Sequence, residues 1–231
     1  MARARSLGLA FTTALVLDGA AFLGALGDDQ KRAAAHADEA ISHSIEHSLA
    51  EYEQRARWAQ GALLAESGDP QRGIELMRNT ISRIEHTGNV SRRTLHLGHY
   101  AAAYARLGQP DAGLHLINKA IETADRTNER FFEAELYRLR GEMLLTLGRR
   151  EEAEAGLRQA LTIAQQQQAR WWELRAATTL AKHWCDEGKS LEAYSLLQPV
   201  YGWFVEGFDT SSLKDAKALL GELRGVSSSK I

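Results

Sequence analysis

Glycines stand at positions 68, 108, 148 and 188, three equal intervals of 40 residues in a chain of 231. A repeat of fixed period restricts a chain to architectures that stack one supersecondary unit on the next, because a single unit cannot bury its own apolar face. The turn triplets are Ser67-Gly68-Asp69, Leu107-Gly108-Gln109, Leu147-Gly148-Arg149 and Glu187-Gly188-Lys189, and each ends one apolar-periodic stretch and begins another. Glycine there supplies the left-handed conformation that follows a helix. Pro70 and Pro110 come two residues after their glycines, where a missing N–H costs nothing because the first turn of a helix has no partner for it. The repeating unit is therefore a helical hairpin. Only three prolines occur, and Ala, Leu, Glu, Arg and Gln are abundant, so composition favours helix as well.

Other positions keep the same phase. Seven residues before the turn glycine stand Gly61, Ala101, Gly141 and Ala181, and five after it stand Gly73, Gly113, Ala153 and Ala193, all small. Nine after it come Met77, Ile117, Leu157 and Leu197, all large and apolar. The spacing predicts that small residues of one helix receive large residues of the other. Leu64, Tyr104, Leu144 and Trp184, with Thr80, Ala120, Ala160 and Val200, extend the apolar stripe at helical spacing.

The expected architecture is all-α, a single helical-repeat domain over 1–224 with hairpins near 5–48, 49–88, 89–128, 129–168 and 169–206. Its first hairpin is degenerate: Leu26-Gly27-Asp28 lies 41 residues before Gly68, with Ala20 and Leu23 in phase. A competing reading makes Arg3, Arg5 and the apolar run Leu7 to Leu17 a secretory signal, which Asp18 opposes. After Trp203-Phe204-Val205-Glu206-Gly207-Phe208-Asp209-Thr210, an amphipathic helix over 211–223 is expected to close the apolar end of the stack. Its start carries a Ser212 and Asp215 pair resembling a capping box. Residues 225–231, with three consecutive serines, read as a disordered tail.

Charge and chemistry narrow function further. Lys plus Arg number 28 against 30 Asp plus Glu, so no domain-wide basic field exists to hold nucleic acid. Cys185 is the only cysteine, which excludes an intramolecular disulfide and a thiolate metal cage. No run approaches the ~20 apolar residues of a membrane span; with the reducing environment suggested by cysteine usage, the expected location is cytoplasmic. Gly188-Lys189-Ser190 is half a phosphate loop, but His183 occupies the place of its first glycine and the segment joins two helices. His36, Glu39, His43 and His47 share one helical face and read as a solvated stripe, with His96 and His99 treated alike. Cys185 beside Trp184 reads as a packed thiol. Catalytic, cofactor and metal residues are accordingly expected to be none, and no enzyme is expected. The pairs Phe131-Phe132 and Trp171-Trp172 recur one period apart, each predicted to place one ring in the core and one outward.

The small residue of the first helix and the Ala and apolar positions of the second resemble the tetratricopeptide repeat over about residues 46–206, with a period longer than that family's ~34. That resemblance implies a right-handed superhelical solenoid whose first helices line a concave face. Its outward positions map to Arg55, Trp58 and Glu66, to Arg106, to Glu135, Arg138 and Glu142, and to Arg175, Lys182 and Asp186. A solvated helix face is the alternative reading of this mixed-charge row.

The stretch from Arg130 to Glu142, with Pro199-Val200-Tyr201-Gly202-Trp203-Phe204 and Gly207-Phe208-Asp209-Thr210, also resembles the C-terminal repeat regions of bacterial proteins that combine a class III adenylate/guanylate cyclase with a signalling ATPase. The resemblance implies a non-catalytic regulatory module of bacterial signal transduction with a protein or peptide partner, since the cyclase metal carboxylates and a complete phosphate loop are missing. A small-molecule effector acting on a catalytic or transcriptional partner is the alternative. Neither reading calls for a cofactor, nucleic acid or membrane.

Overall fold

The computed structural model describes residues 8–26, 30–86 and 92–228. Among these residues the chain forms eleven α-helices and no strand. They are α1 (Ala10–Leu26), α2 (Gln30–Glu46), α3 (Ala50–Glu66), α4 (Pro70–His86), α5 (Arg93–Arg106), α6 (Pro110–Thr127), α7 (Glu133–Thr146), α8 (Arg150–Gln166), α9 (Arg170–Asp186), α10 (Ser190–Tyr201) and α11 (Ser211–Ser228). The chain divides into two compact units, Met1–Gln109 and Pro110–Ile231. The division falls in a turn within a predicted hairpin, not at a hairpin boundary.

The turn chemistry read from sequence is the one observed. Gly68, Gly108, Gly148 and Gly188 have φ of 109°, 79°, 74° and 78°. In each turn the amide after the glycine donates back across five residues, Asp69 to the Leu64 carbonyl at 3.0 Å and Lys189 to the Trp184 carbonyl at 2.8 Å, which satisfies an orphan carbonyl of the ending helix. Helices α4 and α6 begin on Pro70 and Pro110. The links between hairpins use the same left-handed turn without glycine, at Ser48, Asn128 and Gln168.

In the first unit α1 packs on α2 and α3, α2 on α3, α3 on α4, and α5 on both α3 and α4. The α3–α4 crossing is close because Gly61 meets Gly73: a β-carbon on Gly73 would lie 2.5 Å from the Gly61 carbonyl oxygen, and one on Gly61 would lie 2.9 Å from Met77 Cγ. Leu17, Ala21, Ala33, Ala37 and Ala40 are buried between α1 and its neighbours. The expected turn at Gly27 lies outside the described residues.

In the second unit α7 packs on α6, α8 and α9, and α9 packs on α8 and α10. Gly141 and Leu157 repeat the small-against-large contact, since a β-carbon on Gly141 would lie 2.7 Å from Leu157 Cγ. Phe132 is 1% exposed and meets Trp172 edge to face at 5.4 Å, while Phe131 is 44% exposed; both lie in the turn that leads into α7, Phe132 at its N-cap, so this turn and not a helical step sets their facing. Trp171 packs at the edge of the core and against Phe204. Helix α10 ends at Tyr201, two residues beyond Pro199, whose ring and missing N–H interrupt the ladder. Helix α11 then lays Leu213, Ala216, Leu219, Leu220 and Leu223 on α9 and α10, covering apolar surface. It starts at Ser211, so Ser212 lies inside its first turn and Asp215 beyond that turn rather than the two bracketing the start, and it runs to Ser228. The predicted helix end at 223 and tail from 225 are thus corrected: each residue added to a packed helix gains one hydrogen bond for one residue fixed, so the helix continues beyond its last core leucine.

Candidate functional site

Two clusters of charged side chains occupy the faces where first helices of successive hairpins meet, one in each unit. In the second unit, Glu135 and Arg138 of α7 are one helical turn apart and 4% and 5% exposed. Arg138 donates from Nε and Nη2 to the two Glu135 oxygens at 2.7 Å each, a bidentate pair, and from Nη1 to Glu142 and to Thr179 Oγ1 of α9, the latter at 3.3 Å. Burial opposes the charge on Arg138, and Glu135 and Glu142 outweigh it, so its pKa lies above the ordinary guanidinium value. Arg175 of α9 places Nη2 3.0 Å from Glu135, with its guanidinium 5.9 Å from the centre of the Trp172 ring. Its Nε is buried and makes no hydrogen bond. Glu142 reaches this cluster from an exposed position, and Lys182 and Asp186 are exposed further along α9.

In the first unit one carboxylate serves three hairpins. Asp18 of α1 is buried, accepts a hydrogen bond from Arg92 Nη2 at 3.2 Å, and lies 3.6 Å from Arg55 Nη1 of α3. Arg92 precedes α5 in a left-handed conformation, φ 59°, that non-glycine residues adopt at a cost. Trp58 is buried against the His96 and His99 rings at 4.5 and 5.0 Å. Burial, with His99, Arg92 and Arg55 adding to it, pushes His96 down to about 3, so it is neutral at physiological pH. Arg106 is exposed and lies 3.8 Å from Glu66.

The row expected to face outward is therefore graded. Glu135, Arg138 and Trp58 are buried, Arg55 and Arg175 are half-buried, and Arg106, Glu142, Lys182 and Asp186 are exposed. The structure brings Glu135, Arg138, Glu142 and Arg175 together, and places Arg55 beside Asp18 and close enough to His96, a ring partner of Trp58, to act on its charge. Asp18, Arg92 and Thr179 were not among the expected residues. Asp18 carried a signal, an acid inside an apolar run; Thr179 carried none, because a hydroxyl among helix residues is chemically ordinary.

Elsewhere, His43 Nε2 is 2.8 Å from the Ala10 carbonyl oxygen and its ring is 4.4 Å from that of His47, so this histidine face is partly engaged with α1 rather than wholly solvated. Cys185 is half-buried at the core edge. No described helix is long and apolar enough to cross a membrane.

The sequence profile of the tetratricopeptide repeat family matches residues 91–166. Comparison with curated proteins gives no match. Among solved structures, PlcR of Bacillus thuringiensis, determined in complex with the peptide PapR7 and DNA, is similar over 91% of this chain and 73% of its own, with a TM-score of 0.70 at 13% identity. A putative kinesin light chain protein of Podosopora anserina with TPR-like repeats is similar over 87% of this chain and 93% of its own, with a TM-score of 0.55 at 17% identity. A signal transduction ATPase with a tetratricopeptide repeat sensor from Pyrococcus horikoshii is similar over 94% of this chain and 34% of its own, with a TM-score of 0.55 at 12% identity. These likenesses establish an all-α fold of tetratricopeptide-like hairpins.

Proposed function

We propose that the chain is a non-catalytic protein-interaction and regulatory module of signal transduction, receiving a peptide or protein segment on the face formed by α7 and α9. The observation that carries the reading is the buried Glu135, Arg138 and Arg175 cluster. Ionised groups are expensive to desolvate, and an apolar replacement is often no less stable, so their arrangement here is attributed to recognition. The buried Nε–H of Arg175 is a donor for a carboxylate or carbonyl of the incoming segment, and Glu142, Lys182 and Asp186 supply charges at the rim that select among partners. The finer reading, the regulatory portion of a cyclase or ATPase signalling system, is supported by the Arg130 to Glu142 and Pro199 to Phe204 motifs. The ATPase from Pyrococcus horikoshii uses a similarly folded region as a sensor. PlcR was solved with both peptide and DNA, so the fold by itself is compatible with either, and the proposal of no nucleic-acid partner rests on the charge of −2.

The test is panning of a random peptide library on the intact chain, followed by fluorescence polarisation with the selected peptides and with duplex DNA. Lys182 and Asp186 are exposed, so Lys182→Glu with Asp186→Lys spares the fold and is expected to weaken peptide binding by about tenfold or more. Unchanged affinity in that variant, failure to select any peptide, or binding of DNA alone would refute the reading.

A further inference from the structure

The forty-residue register exposes a substitution at one seam of the second unit. Six residues after a turn glycine, five before the next and one before the next, two successive registers read Ile74, Ala103, Leu107 and Leu114, Met143, Leu147. Ile74, Ala103, Leu114 and Met143 are buried, and Leu147 packs on the core cluster that contains Leu114. The third register reads Glu154, His183, Glu187. Three apolar positions have changed together into imidazole and carboxylates, the side chains that ligate divalent transition cations.

The structure assigns these residues to one place. One ligand atom from each of Glu154 on α8, His183 in the last turn of α9 and Glu187 just beyond it lies within 4.8 Å of the others. The His183 side chain is 4% exposed, and its Nε2 makes no hydrogen bond although it lies 3.6 Å from a Glu187 oxygen. Burying such a nitrogen without a partner is costly unless something else satisfies it. Glu154 and Glu187 are each more than a fifth exposed, leaving an approach for an ion. A cation already sits there: Lys189 Nζ is 2.7 Å from Glu187 and 4.0 Å from Glu154. Arg158 holds the other side of Glu154 at 2.7 Å.

We propose that Glu154, His183 and Glu187 bind one divalent cation of the zinc class, Lys189 withdrawing into solvent as it enters. Zinc takes imidazole nitrogen and carboxylate oxygen at about 2.0–2.2 Å, so the carboxylates close on the ion by side-chain rotation, and three protein ligands leave a fourth position to water. Imidazole with carboxylates favours zinc, cobalt or nickel over magnesium or calcium, which prefer oxygen alone. The ion would pin α8 to the end of α9, adding to the stability of this unit through binding to the folded state only. The site is independent of the peptide face.

The test uses the full chain with zinc or cobalt as the probe. Zinc affinity is measured by competition with a chelating dye, and cobalt geometry by its visible absorption. The expected result is one zinc per chain, affinity lowered by about tenfold or more in Glu187→Gln and in Glu154→Gln, and raised in Lys189→Ala, with far-UV circular dichroism unchanged. The variant His47→Ala, which alters the exposed cluster of His43, Glu46 and His47, is expected to bind zinc as the natural chain does. No zinc binding, affinity unaltered in both glutamine variants, or affinity lost in His47→Ala would overturn the assignment.

Discussion

Replacing Gly141 by alanine tests the packing rule on which the repeat is built. In isolation the change favours the helix by about 1 kcal/mol, since alanine is the better helix former. Here the new β-carbon would lie 2.7 Å from Leu157 Cγ and 2.8 Å from its Cδ2, well inside ordinary carbon contact. Cγ is the branch point of a fully buried side chain in a core cluster of the second unit, so rotating the tip does not relieve the overlap. Overpacking of this kind costs about 1–3 kcal/mol, which leaves a net loss of up to about 2 kcal/mol after the helix gain.

The Leu157→Ala background removes the obstructing atoms at its own cost of about 2–5 kcal/mol. In that background Gly141→Ala is expected to change sign and stabilise. Urea unfolding followed by circular dichroism, on the natural chain, both single variants and the double variant, measures the coupling directly. A loss of the same size in both backgrounds, or a gain in both, would show that close approach of Leu157 is not why position 141 is small.

Gly156→Ala is the companion: the nearest atoms to its β-carbon would be 3.7 Å away, so the same assay should show a gain of about 0.5–1 kcal/mol. His96, with a pKa of about 3 folded against 6.5 unfolded, binds fewer protons in the native state between those values. The stability of the neutral ring is therefore complete above pH 6.5 and is lost as pH falls. Moving from about pH 7.5 to 5.5 should destabilise the natural chain by about 1.4 kcal/mol more than His96→Gln in urea titrations at each pH. Arg138→Met should cost about 3 kcal/mol by stranding Glu135 with Arg175 as a remaining partner, and adding Glu135→Gln should recover much of that loss in thermal melts.

How much of this was legible in the linear chain follows from the range of each interaction. Gly68, Gly108, Gly148 and Gly188 announce their turns because backbone conformation there is decided within a few residues, and Pro70 and Pro110 mark helix starts for the same reason. The turns at Ser48, Asn128 and Gln168 have the same left-handed backbone but no glycine. There the strain of an ordinary residue is carried by the helices packed on either side, so composition gives no warning. The division into two units at Pro110 was equally silent, since the forty-residue phase runs through it unbroken.

The candidate face shows the same boundary. Its residue types and spacing were readable, as was the meeting of small Gly141 with large Leu157, which the forty-residue phase implies. Burial of Glu135 and Arg138 was not, because it depends on α9 arriving with Arg175 and Thr179 against α7. Convergence of Glu154 with His183 and Glu187 likewise spans two helices and a link. The sequence by itself determined where helices begin, turn and present their small and large residues, all local consequences of stereochemistry. Tertiary structure alone decided which charges leave water and which donors find each other, since desolvation and pairing exist only once separate helices share a face.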